Sequence, residues 1–182
     1  MDIIKNLLVL IASPRVGWED ISLSGCDSRR LLQRGLYPLL ILLAVCSFVP
    51  MVYDSTITFT QSVMRMIVNV SSYFFGFHIA DYLLGGFYPQ LTRTELAMGR
   101  LHRFVGYCTM YLVVLSILQH VLPIDFTPVF FMMMYMMWIA YRGIDYLELE
   151  TAGRTKFLIF SSLLLLLIPV VISMLLGIII QV

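Results

Sequence analysis

The sequence is poor in charge and in cysteine. Only 13% of its 182 residues are Asp, Glu, Lys or Arg, and the formal net charge is +1. Soluble domains carry about 25% charged residues. The near-neutral balance offers no basic surface for nucleic acid, so we expect no nucleic-acid partner. The three cysteines, at positions 26, 46 and 108, are scattered and lack Cys-x-x-Cys spacing, which argues against a disulfide framework or a zinc site.

Signatures of catalysis and of cofactor binding are also missing. The sequence contains no Gly-x-Ser-x-Gly motif and no phosphate-binding glycine loop. His102 and His120 lie eighteen residues apart, or about 27 Å along one helix, which is too far for the two to ligate one haem. We therefore expect a protein that is not an enzyme and that holds no cofactor and no metal.

Apolar residues dominate what is present. They make up 60% of the chain, and the mean hydropathy is +0.90. Too few polar residues remain to cover a water-soluble core of this size. The apolar runs are continuous, whereas the strands of a membrane barrel alternate. The sequence therefore predicts an all-α, multi-pass transmembrane helical bundle.

Five apolar segments approach the roughly 20 residues that a membrane-crossing helix needs. They form a predicted membrane domain over residues 35–182, with spans at about 35–53, 64–84, 104–122, 129–146 and 157–180. The fourth segment has a short purely apolar part, so Arg142 is expected to snorkel or to pair with Asp145 at i,i+3. Pro169 predicts a kink in the fifth span.

Residues 1–34 are predicted to form a cytoplasmic segment at the membrane interface. The first eleven residues show helical spacing of apolar side chains, with Asn6 on the polar side. A helix of that length reaches about 16 Å, so it suits an interfacial amphipathic helix and not a span. Pro14 can end this helix and begin another, with Ser13 as N-cap. Trp18 is expected at the interface, and residues 22–34 are expected to form a loop.

The placement of lysine and arginine predicts an orientation. Eleven of these residues fall before the first span, between the second and third, or after the fourth, and only Arg65 falls on the other side. Cytoplasmic segments of membrane proteins carry the excess of Lys and Arg. We therefore predict a cytoplasmic N-terminus and an extracytoplasmic C-terminus in the bacterial cytoplasmic (inner) membrane.

The second predicted span carries two different stripes. At 100° per residue, Ser72, Gly76 and Ala80 share one face, and small residues of this kind suit a close helix–helix packing seam. His78 and Asp81 lie on the opposite face. The span is expected to leave the membrane at the glycine pair that follows it.

The polar face of this span has two interpretations. His78, Asp81, His102 and Arg103 form a candidate functional polar face at which a carboxylate and an imidazole could exchange a proton, as in a small transporter or channel. In the other interpretation the face is structural, and Asp81 accepts hydrogen bonds from Tyr, Ser or Arg103.

Three short motifs occur in order along the chain. Pro14 and Trp18 open a Pro-x3-Trp-x2-Ile segment. A glycine pair, Gly85 and Gly86, is followed after a polar stretch by Gly106 and Tyr107. The fourth span ends in a Tyr- and Gly-rich sequence that includes two further motif residues, Tyr141 and Gly143.

These motifs resemble those of the Yip-one (Ypt-interacting protein) domain family in its compact bacterial form. The resemblance covers about residues 10–180 and implies five spans and no reaction. We therefore expect an integral membrane protein with a role in membrane organisation or in binding a membrane-protein partner or a second copy of itself.

Overall fold

Every regular element that the structure describes is a helix. The structure is a computed structural model and describes residues 2–25, 27–87, 97–122, 126–147, 149 and 151–180. The helices, in chain order, are α1 (Asp2–Ala12), α2 (Pro14–Leu23), α3 (Ser28–Leu31), a π-helical turn (Leu32–Leu36), α4 (Tyr37–Cys46), α5 (Pro50–Tyr53), α6 (Phe59–Phe87), α7 (Ala97–Val121), α8 (Phe126–Leu147) and α9 (Thr151–Ile180). The predicted all-α class is confirmed.

Three stretches of helix are long and apolar enough to cross a membrane. They are Ser28–Tyr53, Met98–Val121 and Gly153–Ile180, which contain the first, third and fifth predicted spans almost entirely. A membrane protein is therefore the class that the structure supports. The second and fourth predicted spans fall within α6 and α8, which are not among the three.

The chain enters the first of these stretches earlier than predicted. Residues 28–34, expected in a loop, belong to α3 and to the π-helical turn, which continues to Leu36. Leu31 and Leu36 are fully buried there, so packing against the bundle keeps this segment helical. At Gly35 a Cβ atom would lie 2.8 Å from Met110 Sδ, which shows how closely the turn approaches α7.

Helices α1 and α2 form a hairpin around Ser13. Pro14 occupies the first turn of α2, where its missing N–H is not needed. The two helices approach closely at Gly17, where a Cβ atom would lie 2.4 Å from the Cα of Leu10. The interpretation of Asn6 as part of a polar face was wrong, because Asn6 is 8% exposed and lies on the side of α1 that packs against other helices.

The link before α6 contains two local hydrogen-bonded motifs. Thr56 donates from its backbone N–H and its hydroxyl to the carboxylate of Asp54, at 2.9 and 2.6 Å, and these bonds lower the pKa of Asp54. Thr58 and Gln61 then form a reciprocal capping box at the start of α6. The cap explains why the helix begins at Phe59, before the expected start of the span at residue 64.

Gly85 and Gly86 lie in the last turn of α6, which ends at Phe87, and the exit of the chain from the membrane at this pair stays a prediction. Helix α7 begins at Ala97, between the second and third predicted spans. Leu84, in the last turn of α6, is fully buried. This packing can outweigh the cost of glycine in a helix, which is about 1 kcal/mol per residue relative to alanine.

Helix α6 packs most extensively against α9. Ser72, Gly76 and Ala80 are all buried, and a Cβ atom at Gly76 would lie 3.0 Å from Cγ of Pro169. Pro169 lies inside α9, so its ring packs against the backbone of α6 where a side chain is missing. Ser72 donates its hydroxyl hydrogen to the carbonyl of Val68, one turn earlier, at 2.6 Å.

We predict that Gly17→Ala opens the α1–α2 hairpin. The new methyl group would meet backbone atoms of Leu10, which cannot rotate away as a side chain can. Overpacking of this kind costs about 1–3 kcal/mol. The measurement is thermal unfolding of the purified protein in detergent. Gly86→Ala is the control, because a Cβ atom there meets nothing within 4 Å. An unchanged midpoint for Gly17→Ala would contradict the close packing.

Candidate functional site

Trp18 lies at the centre of an aromatic cluster near one end of the bundle. Its side chain is 3% exposed. Its ring is stacked on Phe104 and on Tyr146, with centroid distances of 5.6 and 5.4 Å. The edge of Tyr107 meets it at 6.2 Å. The cluster therefore joins α2 to the first half of α7 and to the end of α8.

The indole of Trp18 is buried within the protein, so it has no wet edge of the kind expected for an interfacial tryptophan. Its indole N–H donates to the backbone carbonyl of Ile139 at 2.9 Å, so burial leaves no polar group unsatisfied. Gly143 provides the space, because a Cβ atom there would lie 2.9 Å from Cε2 of Trp18 and 2.6 Å from Cε2 of Phe104. The indole can be buried because α8 has no side chain at Gly143 and because a backbone carbonyl of α8 accepts the indole N–H.

The structure brings some of the motif residues together and leaves others apart. Pro14, Trp18, Tyr107 and Gly143 are all buried, and Trp18 contacts Tyr107 directly. Gly106 adjoins this cluster, and a Cβ atom there would lie 2.7 Å from Cδ2 of Leu31. Three motif residues lie outside the cluster: Tyr141, which is 51% exposed, and Gly85 and Gly86, which belong to α6.

A cavity of about 780 Å³ lies beside the aromatic cluster. Its lining comes from α2, from the start of α7 and from the end of α8, and includes most of the charged side chains of these segments. The lining residues are Arg15, Trp18, Glu19, Ser22, Arg100, Arg103, Arg142, Asp145 and Tyr146. We call this space the basic cavity. Three segments that the sequence predicted to be basic therefore meet at one end of the bundle.

Of the two alternatives predicted for Arg142, its pairing with Asp145 was wrong. Asp145 forms an ion pair with Arg154, with 3.0 Å between Oδ1 and Nη1. Arg142 instead places its guanidinium over Trp138, 4.7 Å from the ring centroid, and near Tyr141 at 5.9 Å. A cation over an aromatic face is stabilised by the ring quadrupole. Arg154 reaches Asp145 because it also donates from Nε to the carbonyl of Leu149 at 3.1 Å.

The candidate polar face divides into separate contacts. His102 donates from Nδ1 to the Asp81 carboxylate at 2.9 Å, and the two side chains are 23% and 27% exposed. Arg103 donates from Nε to the carbonyl of Gly99 in its own helix. His78 is exposed and donates from Nδ1 to the carbonyl of Phe74 at 2.8 Å. Asp81 is therefore paired with His102, whereas His78 and Arg103 each donate to a backbone carbonyl of their own helix.

Phe77 lies between the two histidines at this site. Its ring meets His78 edge to face at 5.1 Å and His102 in the same manner at 5.2 Å. The Nε2 atom of His102 is buried and has no hydrogen-bond partner among the described residues. A second cavity, of about 610 Å³, borders Asp81 and His102, as well as Gly85 and Gly86.

A polar contact that the sequence interpretation missed joins α6 to α7. Asn69 donates from Nδ2 to Nε2 of His120 at 2.9 Å. The direction follows because His120 Nδ1 lies 2.6 Å from the carbonyl oxygen of Ser116 and must donate to it. The signal was present in the sequence, since Asn69 lies on the same helical stripe as Ser72 and Gly76.

Within the parts of the chain that the structure describes, His, Cys, Asp and Glu side chains form no group of three or more that could hold a metal ion. No protein-family model, no curated protein and no solved structure matches this chain. The resemblance to the Yip-one family therefore depends on its motif residues alone.

We predict an energetic coupling between Asp81 and His102. A double-mutant cycle of Asp81→Ala and His102→Ala should give an interaction energy of about 1–3 kcal/mol, because the pair is a charge-assisted hydrogen bond shielded from most solvent. The measurement is the free energy of unfolding in mixed micelles.

The matched control is the cycle of Asp81→Ala with His78→Ala. It should give a coupling near zero, since His78 donates to the carbonyl of Phe74. Equal coupling of Asp81 to both histidines would contradict the pairing.

Proposed function

We propose that this chain is an integral membrane protein of the Yip-one type with five crossing helices and a non-enzymatic role in membrane organisation or partner binding. The partner would be another membrane protein or a second copy of the chain. The observation that carries this proposal is the use of the motif residues. The contacts of Trp18 with Tyr107 and Gly143 hold helices together inside the protein. Such a structural use of the motif residues supports a scaffold role.

The proposed second and fourth crossings are α6 and α8. With 29 and 22 residues, they extend about 44 and 33 Å, and the apolar core of a bilayer is about 30 Å thick. Helix α6 packs along α9, and α8 packs along α7. Both expose large apolar side chains, among them Phe75 (51%) on α6 and Phe131 (68%) on α8, as helices in contact with lipid would.

The proposed orientation places the basic cavity at the cytoplasmic face. Arginines from three separate segments line that cavity, and cytoplasmic segments carry the excess of Lys and Arg. The N-terminal residues 1–34 then lie on the cytoplasmic leaflet. There α1 has its buried side on protein and exposes Ile4 and Leu8, at 49% and 62%, toward the interface. We place the protein in the bacterial inner membrane.

The internal use of polar groups supports a role without catalysis. His102 is hydrogen-bonded to Asp81, and His120 is hydrogen-bonded to Asn69 and to the carbonyl of Ser116. Each of these contacts joins or braces helices. The outer surface of α9, in contrast, is apolar, with Ile178 and Ile179 exposed at 77% and 75%, and it is free to meet lipid or a partner helix.

We predict that a reporter enzyme active only in the cytoplasm is inactive when fused after Val182 and active when fused before Met1. An odd number of crossings puts the two ends on opposite sides, and the arginine distribution puts the first end inside. The reverse pair of activities would overturn the orientation. Activity at both ends would overturn the odd number of crossings.

Transport through the polar face is a second candidate function. The observation in its favour is the cavity of about 610 Å³ that borders Asp81 and His102, because ionisable groups beside a cavity in a membrane protein mark ion pathways. His78 was expected to share this pathway, but it does not line the cavity. The candidate path therefore involves Asp81 with His102.

One preparation discriminates between the two functions. Protein purified in mild detergent should elute as a defined oligomer or with a co-purifying membrane protein, and liposomes that contain it should show proton and cation flux at background. A clean monomer without partners would count against the scaffold role. Flux that is lost in Asp81→Asn, with His78→Ala as the control, would establish the transporter instead.

A further inference from the structure

The charges that line the basic cavity are unequal. Four arginines and two carboxylates contribute, which is a formal excess of two positive charges: Arg15, Arg100, Arg103, Arg142, Glu19 and Asp145. The excess matters because the cavity is large and is partly walled by the buried aromatic cluster, where water screens charge less than it does in bulk solvent. Such a cavity attracts an anion.

Each of the two carboxylates forms an ion pair with an arginine other than Arg103 and Arg142. Glu19 lies 3.5 Å from Nε of Arg15, on the next turn of the same helix. Asp145 lies 3.0 Å from Nη1 of Arg154, which is not part of the cavity lining. Neither carboxylate therefore has to neutralise the arginines on the opposite side of the cavity.

Arg103 and Arg142 are positioned by aromatic rings. The guanidinium of Arg103 lies 5.8 Å from the centroid of Tyr146, and that of Arg142 lies 4.7 Å from the centroid of Trp138. In the described part of the chain, no carboxylate forms an ion pair with either one. Stacking orients a guanidinium and leaves N–H groups available for an anion. For Arg103 these are the terminal NH₂ groups, because its Nε donates to the carbonyl of Gly99.

Tyr146 lines the cavity, and its ring lies against the guanidinium of Arg103. Its hydroxyl oxygen is buried away from solvent, so the hydroxyl is not counted among the donors of the site.

We infer that the basic cavity binds the phosphate of an anionic phospholipid headgroup, held by the guanidinium groups of Arg103 and Arg142. Arginine matches the tetrahedral oxygens of a phosphate with two parallel N–H bonds. Basic pockets between membrane helices on the cytoplasmic side recognise such headgroups. The lipid as the source of the phosphate rests on the proposed membrane crossing.

Two features favour a lipid over free phosphate. The volume of about 780 Å³ is in the range of sites for whole small molecules and is larger than one phosphate requires. In addition, Trp138 and Tyr141 flank Arg142 and are exposed at 46% and 51%. They give an apolar aromatic surface next to the charged site, as a headgroup with acyl chains would need.

The test is a titration of the full-length protein in neutral detergent, followed by intrinsic tryptophan fluorescence. The chain has two tryptophans: Trp18 lines the cavity and Trp138 stacks on Arg142. The three ligands are short-chain phosphatidylglycerol, phosphatidylcholine of the same chain length, and inorganic phosphate. We expect phosphatidylglycerol to bind at least about tenfold more tightly than either of the other two.

Arg103→Gln and Arg142→Gln should each weaken phosphatidylglycerol binding by about tenfold, which is the loss of one charge-assisted contact. Arg142→Lys keeps the charge without the planar fork and should give an intermediate loss. Arg30→Gln is the matched control, since Arg30 is an exposed arginine of α3 that does not line the cavity. It should bind within about twofold of the unchanged protein.

An equal loss of affinity in the Arg30 variant would show general attraction to positive charge and would overturn the site. Equally tight binding of inorganic phosphate would assign a soluble phosphate in place of lipid and would overturn the lipid source. Size-exclusion profiles identify any variant that fails to fold. In that case the affinity of the Arg142→Lys variant is the deciding measurement. Membrane extraction tests the membrane proposal separately. If only detergent releases the protein from membranes, but substitution of Arg103 or Arg142 leaves its lipid affinity unchanged, then the lipid site is overturned and the membrane proposal is not.

Discussion

The burial of the Trp18 indole is the contact on which the basic end of the bundle depends. A tryptophan can be removed from water only if its ring is packed and its N–H is bonded, and α8 supplies both conditions. Gly143 leaves room for the ring, and the carbonyl of Ile139 accepts the N–H at 2.9 Å. Because α2 is held there, Arg15 and Glu19 face the ends of α7 and α8. The basic cavity therefore exists because the N-terminal segment is packed against the bundle.

A second close contact organises the other half of the molecule. Gly76 and Pro169 meet where α6 and α9 pack, with only 3.0 Å available for a Cβ atom at the glycine. Proline inside a helix removes one backbone hydrogen bond and bends the helix, and a flat partner surface can accept the ring. Small residues on α6 provide that surface, as close packing between membrane helices requires. The same helix then directs Asp81 toward His102 on α7.

The fold class and much of the helix order could be predicted because they depend on local and compositional signals. The continuous apolar runs, Pro14 at the start of α2 and the small-residue stripe on α6 are all of this kind. The burial of Trp18 could not be predicted in this way. It depends on Gly143, which is 125 positions away in the chain, and no local pattern indicates that the two meet. The helical stripe marked Asn69, but its partner His120 was missed because 51 positions separate the two.

The errors at charged residues have a common physical cause. Sequence spacing suggested that Arg142 would neutralise Asp145 one turn away, but an i,i+3 pair is worth only about 0.2–0.5 kcal/mol, and other contacts readily displace it. Asp145 forms its ion pair with Arg154, and the hydrogen bond from Arg154 to the carbonyl of Leu149 orients the Arg154 side chain. Arg142 stacks on Trp138 instead. Asp145 is therefore neutralised by an arginine outside the cavity lining, while Arg142 lines the cavity without a carboxylate partner among the described residues. The competition that defeats the local pairing rule thus leaves Arg142 available in the candidate site.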